Sequence, residues 1–455
     1  MAEVSAVLLV DWTEKLISSY SPKRHATLSS SPFLPRELKD EVFSHLIDDK
    51  RTLCLCANLN HEWAPSARAA LFHTIVINND TSNHDIFAFR EWLGSGDISE
   101  VANHVRKLHF KGIRARRNVD MRPAFSAAII KATDIAEALC QLPAVHSLQF
   151  ERTALQSSEE ASQCLPLRIL KRLDMDCTFY DLSPPSSECS THPTSGLVQI
   201  LNLFSTIDVL RVSHVTPYRV SKATSVADAV AVATATSRQL SPALDVRRFI
   251  SHGSLTESHR ILFEMLASWP KLGTEMGSLG AMEVLDKASA FNSLVRSAGS
   301  HLTHLSLNLA EERIPEDPKK WYDLSKCKNL THLTVETRVA FHVQDQFTAL
   351  FANLASLPAY ALTHFTAVFN HHFHPESVVE FLWDVDWSTI DDLFGRREAM
   401  KAVVVEFRHN EDRGPIRKLV ESEVFGFGVE FVTKKLPKLQ ERGLLRFEQF
   451  AAATD

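Results

Sequence analysis

The chain has 455 residues, a formal net charge of −6, and 45% apolar against 23% charged residues. That length corresponds to about three ordinary domains, and the apolar share is enough for a large core. The acidic balance argues against a general nucleic-acid binder, which is usually basic overall. No apolar run approaches the roughly 18 residues of a membrane span. The longest near the start, Ala6–Val10, ends at Asp11, and Met1-Ala2-Glu3 is acidic where a secretory signal needs a basic start. Cys54, Cys56, Cys140, Cys164, Cys177, Cys189 and Cys327 form no C-x-x-C pair. Reduced thiols in the cytoplasm or nucleus fit that usage. Phe (27) far outnumbers Tyr (5), which favours aromatic rings as core filler.

Residues 1–31 read as a leader. Val4–Ile17 has the pattern of a short helix, and Ser18–Ser31 is a Ser- and Pro-rich linker. Leu34-Pro35 then opens a helix, since Pro suits a first turn where its missing N–H is not needed. Leu38, Val42 and Leu46 fall at i, i+4, i+8 with Phe43 beside them, which predicts one apolar face. Asp48-Asp49 breaks the run. A second helix follows over Thr52–Leu59 with Leu53, Cys56 and Leu59 on a stripe. A third runs from Trp63 or Pro65 to Phe72, and His73–Ile77 reads as a strand.

These residues resemble the F-box family, over 32–78. The match is Leu34-Pro35, Glu37-Leu38, Val42-Phe43, Leu46, Leu53, Cys56, Leu59, Trp63, Ala67 and Leu71-Phe72. Ala70-Leu71-Phe72 leading into an Ile/Val strand looks like the F-box proteins abundant in mushroom-forming fungi. Asn60-His61 departs from the basic residue the family often has before the Trp. The resemblance implies docking on the adaptor of a cullin-RING (SCF-type) ubiquitin ligase, with adaptor contact at Leu34, Pro35, Leu38, Val42, Leu46 and Leu53. Trp63 is expected in the internal core. The other reading is that all these residues pack inward.

From 79 to 455 one pattern recurs: apolar, two others, apolar, one other, apolar. It appears at Val105–Phe110, Val145–Phe150, Leu170–Met175 and, more loosely, Ile207–Val212. Poor copies lie around Phe249 and Leu285. Leu302-Thr-His-Leu305-Ser-Leu307, Leu330-Thr-His-Leu333-Thr-Val335 and Leu362-Thr-His-Phe365-Thr-Ala367 are close relatives, and Met400–Val405 is the last. Alternation predicts a half-buried strand in each copy. Several intervals hold amphipathic helical stretches, among them Ile129–Leu142, Ser258–Trp269 and Gln344–Leu357. One strand plus one helix per 20–40 residues is the mark of a leucine-rich solenoid, here an irregular one. An ordinary α/β domain with coincidental Thr-His pairs is the alternative. Residues 183–196 read as a surface loop. Residues 216–243 read as an insertion, partly helical or mobile.

The expected fold class is therefore α/β: a three-helix F-box followed by an irregular leucine-rich-repeat-like solenoid. The implied function is substrate recognition for the ligase, with a protein substrate on the repeats; a non-ligase scaffold on the same adaptor is the rival. Catalytic residues, metal and cofactor are not expected. There is no phosphate-loop motif around Gly273–Gly280 and no Gly-x-Ser-x-Gly elbow. Asp174-Met-Asp176 and Asp384-Val-Asp386 read as exposed acid pairs, and His371-His372-Phe373-His374 as a solvated turn. For the substrate, the outward positions of a strand ladder are the candidates. They include Lys107, His109 and Lys111 and end in a row of His304, His332 and His364. Separately, a basic run from Arg106 to Arg122, with Arg114, Arg116 and Arg117, reads as a contact for a phosphopeptide or acidic segment, or as a nuclear import signal. A solvated basic face, and Thr-His pairs that serve only neighbouring backbone and packing, are the plainer readings.

Overall fold

The computed structural model describes residues 34–59, 61–78, 86–95, 99–112, 128–158, 167–182, 195–220, 226–252, 257–269, 281–284, 288–309, 324–338, 350–351, 354–355, 357–358, 361–371, 382–383, 385–409 and 416–449. The leader helix and linker, Arg114, Arg116, Arg117 and Arg122, most of the 183–196 loop, and most of Gln344–Leu357 lie outside them. The protein is mixed α/β with parallel sheets. It divides into two compact units. One is Met1–Asp208 with Ser213–Lys222 and Gln239–Leu244; the other is Val209–Val212, Ala223–Arg238 and Asp245–Asp455. Among the described residues no helix is long and apolar enough to cross a membrane.

The first unit starts with three helices, α1 (Arg36–Ser44), α2 (Lys50–Leu59) and α3 (Ala64–Leu71). Asp49 does more than break the chain. Its carboxylate accepts from the Thr52 N–H (3.0 Å) and hydroxyl (2.6 Å), closing the exposed start of α2. The Lys50 ammonium reaches the Leu71 carbonyl at 3.1 Å and so ties α2 to the C-terminal end of α3. Phe43, Leu53, Ala57, Ala67, Leu71 and Phe72 form the core between the helices.

A strand ladder follows. It comprises β1 (Thr74–Asn78), β2 (Lys107–Lys111), β4 (Ser147–Glu151), β6 (Arg168–Asp176) and β8 (Phe204–Ser213), hydrogen-bonded in that order. Ile75, Leu108, Leu148 and Leu173 lie in register, as do Ile77, Phe110, Phe150 and Met175. Both columns are buried. Helices α4 (Ile86–Gly94), α5 (Ser99–Ala102), α6 (Ala132–Gln141) and α7 (Gly196–Leu201) lie in the connections. Arg90 of α4 bonds Asp134 (3.0 Å) and Glu137 (2.7 Å) of α6.

The first unit also holds a second parallel sheet, which the recurring sequence pattern does not mark. It is built from β3 (Ala128–Lys131), β5 (Thr153–Gln156), β7 (Phe179–Leu182) and β9 (Thr216–Val220). The chain reaches β5, β7 and β9 through Arg152, Cys177 and His214, all with positive φ. These corners stack. The Gly112 N–H donates to the Glu151 carbonyl (2.7 Å), that of Arg152 to Asp176 (2.9 Å), and that of Cys177 to Ser213 (2.8 Å).

The second unit contains α8 (Val226–Ser237), β10 (Asp245–His252), α9 (Glu257–Ala267), β11 (Ala281–Val284) and α10 (Ala288–Ala298). It continues through β12 (His304–Leu309), β13 (His332–Arg338), β14 (His364–His371), α11 (Trp387–Gly395) and β15 (Ala402–His409), and ends with α12 (Ile416–Lys435), α13 (Pro437–Glu441) and β16 (Leu445–Gln449). Its strands run parallel in chain order. Leu305, Leu333, Phe365 and Val403 align, as do Leu307, Val335, Ala367 and Val405, and all are buried. The 216–243 stretch supplies β9 and α8. The weak copy around Leu285 is the strand Ala281–Val284.

Candidate functional site

The three helices carry two kinds of apolar surface, and α1 separates them. Its Lys39 and Phe43 point inward, Phe43 at 2% exposure. Leu38 and Val42 stay 47% and 51% exposed. Positions 39 and 43 share one stripe, 38 and 42 the next one round, because residues four apart lie over one another on a helix. The single apolar face expected for α1 is thus two stripes, one spent on the core and one open. The buried Lys39 ammonium is compensated by Glu62 at 3.7 Å.

Leu34 and Pro35 are exposed beside the open stripe in sequence, and Leu46 is half-buried against the core. Leu53 is corrected: at 0% exposure it is the centre of the three-helix core and has no surface for a partner. Its stripe on α2 meets α3, while Leu55, two residues on, points away and is 56% exposed. Trp63 is also corrected. Expected inside, it is 40% exposed and lies edge-on to Phe43, with ring centroids 6.0 Å apart at 75°. Leu55 and Trp63 therefore belong with the open surface, where only their spacing relative to Leu53 and Phe43 could have placed them.

Lys107, His109 and Lys111 alternate with buried Leu108 and Phe110, as expected of β2. Their surroundings are less basic than the run suggests. His109 Nε2 is 3.2 Å from Glu151, which also takes Arg152 at 3.1 Å. Arg172 holds Asp174 at 2.8 Å. In register, His109 faces Gln149 and then Asp174, and Lys111 faces Glu151 and then Asp176. Acids from the next strands thus balance this part of the ladder. Burial pushes His109 below its ordinary value, against the pull of Glu151, and burial also lowers Lys107.

His304, His332 and His364 are brought together as a column. They are direct register partners, with ring centroids 4.2 and 4.3 Å apart and planes within 10° and 2°. Each Nδ1 meets the hydroxyl of the preceding Thr303, Thr331 or Thr363, at 2.9, 2.9 and 2.8 Å. The Thr331 and Thr363 hydroxyls donate to the carbonyls of Thr303 (2.9 Å) and Thr331 (3.0 Å). A hydroxyl has one proton to give. Its oxygen must therefore accept from the imidazole, which places the proton of His332 and His364 on Nδ1. Burial, then His304, His364 and Lys401, hold His332 below its ordinary value. The Thr-His pairs thus do make the backbone and stacking contacts of the plainer reading. Farther along the face, Arg408 joins Glu406 (2.6 Å) and Glu336 (3.7 Å).

The remaining motifs have local roles. Asp386 starts α11, accepting from the Thr389 N–H at 3.2 Å, and Asp174 pairs with Arg172. His372–His374 and Asp384 lie outside the described residues. Among the described residues no cluster of His, Cys, Asp or Glu has the arrangement of a metal site. No protein-family model matches the chain, and no curated protein matches it in sequence.

Proposed function

We propose that this chain is a substrate-recognition subunit of a cullin-RING (SCF-type) ubiquitin ligase. Its N-terminal helices would act as an F-box that docks on the adaptor, and the strand ladders as an irregular leucine-rich solenoid that holds a protein substrate. One observation carries the reading. The three-helix core is already closed by Phe43, Leu53, Ala67 and Leu71, yet Leu34, Leu38, Val42, Leu55 and Trp63 remain exposed. Apolar side chains left open on so small a unit favour a partner. The same sequence run carries the F-box resemblance, so chemistry and resemblance point to one surface. The contribution of such a subunit is positioning, which raises effective concentration at the ligase.

The test is co-purification with the adaptor. Leu38→Glu with Val42→Glu should abolish capture while the unfolding free energy stays within the small range of surface substitutions, about ±0.5 kcal/mol each. Leu34→Ala with Pro35→Ala should weaken it. Capture of the adaptor by the glutamate variant at wild-type yield would overturn the assignment.

A further inference from the structure

An open cleft of about 270 Å³ lies against α1, α3 and the chain leading into β1 and β2. Arg36, Asp40 and Ser44 line it from a third stripe of α1, four residues apart, distinct from the open apolar stripe and the buried one. Ser66, His73, His104 and Arg106 also line it. Asp40 is the one carboxylate among the lining residues, 3.8 Å from Arg36.

The basic side of the cleft continues along the strand starts. The His73 carbonyl accepts from the N–H groups of Arg106 (2.9 Å) and Lys107 (3.0 Å). The Arg106 carbonyl likewise takes His146 (3.0 Å) and Ser147 (3.1 Å), and that of His146 takes Lys171 (2.8 Å) and Arg172 (3.3 Å). His73, Arg106, His146 and Lys171 are therefore equivalent positions. In the second unit the same forked backbone bond is made at Thr303, Thr331 and Thr363. The backbone joint works with threonine, so the ladder does not require basic residues there.

We propose that this cleft is a binding site for the phosphate group of a phosphomonoester. The dianion would be held by the Arg36 and Arg106 guanidiniums, with the Ser66 hydroxyl beside it; the Ser44 hydroxyl gives its proton to the Glu41 carbonyl at 2.6 Å. Guanidinium suits the task because its planar fork matches phosphate oxygens. Arg106 spends one N–H on the Ala144 carbonyl, at a long 3.4 Å, out of five that the group carries. The field at His73 points the same way. Burial lowers its ring first, and the neighbouring basic groups, His146, Lys50, Arg106 and Lys107, lower it further. An anion in the cleft would offset that accumulation. The proposal goes beyond adaptor docking and stands or falls separately, because the docking stripe and the cleft use different residues of α1.

The experiment follows the His73 ring by NMR in the full chain. Inorganic phosphate and a phosphoserine peptide are titrated in turn, with chloride replacing them at equal ionic strength. A saturable shift and a raised His73 pKa are expected with phosphate and not with chloride. Arg36→Gln should weaken binding roughly tenfold, the scale of one lost charged hydrogen bond. Its side chain is 75% exposed, so the variant should fold. Asp40→Asn should tighten binding about fivefold by removing a like charge. Saturation by inorganic phosphate would identify a free phosphate or small ester as the source. Saturation by the phosphopeptide alone, and not by its unphosphorylated form, would identify a phosphorylated protein. A drift that chloride reproduces, or binding that ignores both substitutions, would overturn the site.

Discussion

Thr331 has one hydroxyl and uses it twice. The proton goes to the Thr303 carbonyl and the oxygen receives the proton of His332 Nδ1. One side chain thereby links adjacent strands and sets the tautomer of a stacked ring. Thr331→Val keeps the shape and deletes both bonds. It should cost about 1–2 kcal/mol in a urea titration, the scale of a hydrogen bond lost with its partner left behind. A variant as stable as the wild type would mean that the column is held by ring stacking and backbone alone. The three histidines were legible from the repeated Leu-Thr-His triplet, because a strand period of two puts equivalent residues on one face. The tautomer was not legible, since it depends on which carbonyl the neighbouring strand presents.

At the scale of elements, α1 shows where reading a helix from apolar spacing falls short. Leu38, Val42 and Phe43 all announce a helix, but spacing alone cannot say which stripe meets α2 and α3. Phe43 won the inner place, Leu38 and Val42 did not, and Leu53 on α2 filled the centre. The corner strands β5 and β7 were hidden for a different reason. Each has four residues, too few for a period to show, and each is made by a sharp turn at the end of the preceding strand. The first of these stacked corners is Gly112, where an added Cβ would lie 1.8 Å from the Arg152 carbonyl oxygen. Gly112→Ala should therefore destabilise by about 3 kcal/mol, the upper range for overpacking, because the obstacle is backbone. A melting temperature equal to the wild type would show that the corner can open.

For the molecule as a whole, acid is the expected weakness. His73, His146 and His332 all lie below the ordinary histidine value, with burial as the first cause of each. A base lowered in the fold stays neutral there, while the unfolded chain takes up its proton near pH 6.5. The stability they contribute is full above that pH and is lost as pH falls toward the folded values. The melting temperature should drop between about pH 7 and pH 5.5. His332→Gln should make that drop shallower. A flat profile across this window would contradict the assignment. By itself the sequence determined the parallel-strand periodicity, the histidine row and the N-terminal helices, because each follows from local spacing along one segment. Only the tertiary structure decided the second sheet and the exposure of Trp63. It also decided the acids that balance β2 and the cleft that joins Arg36 to Arg106. Each of these depends on which distant segment packs alongside, and no local period records that.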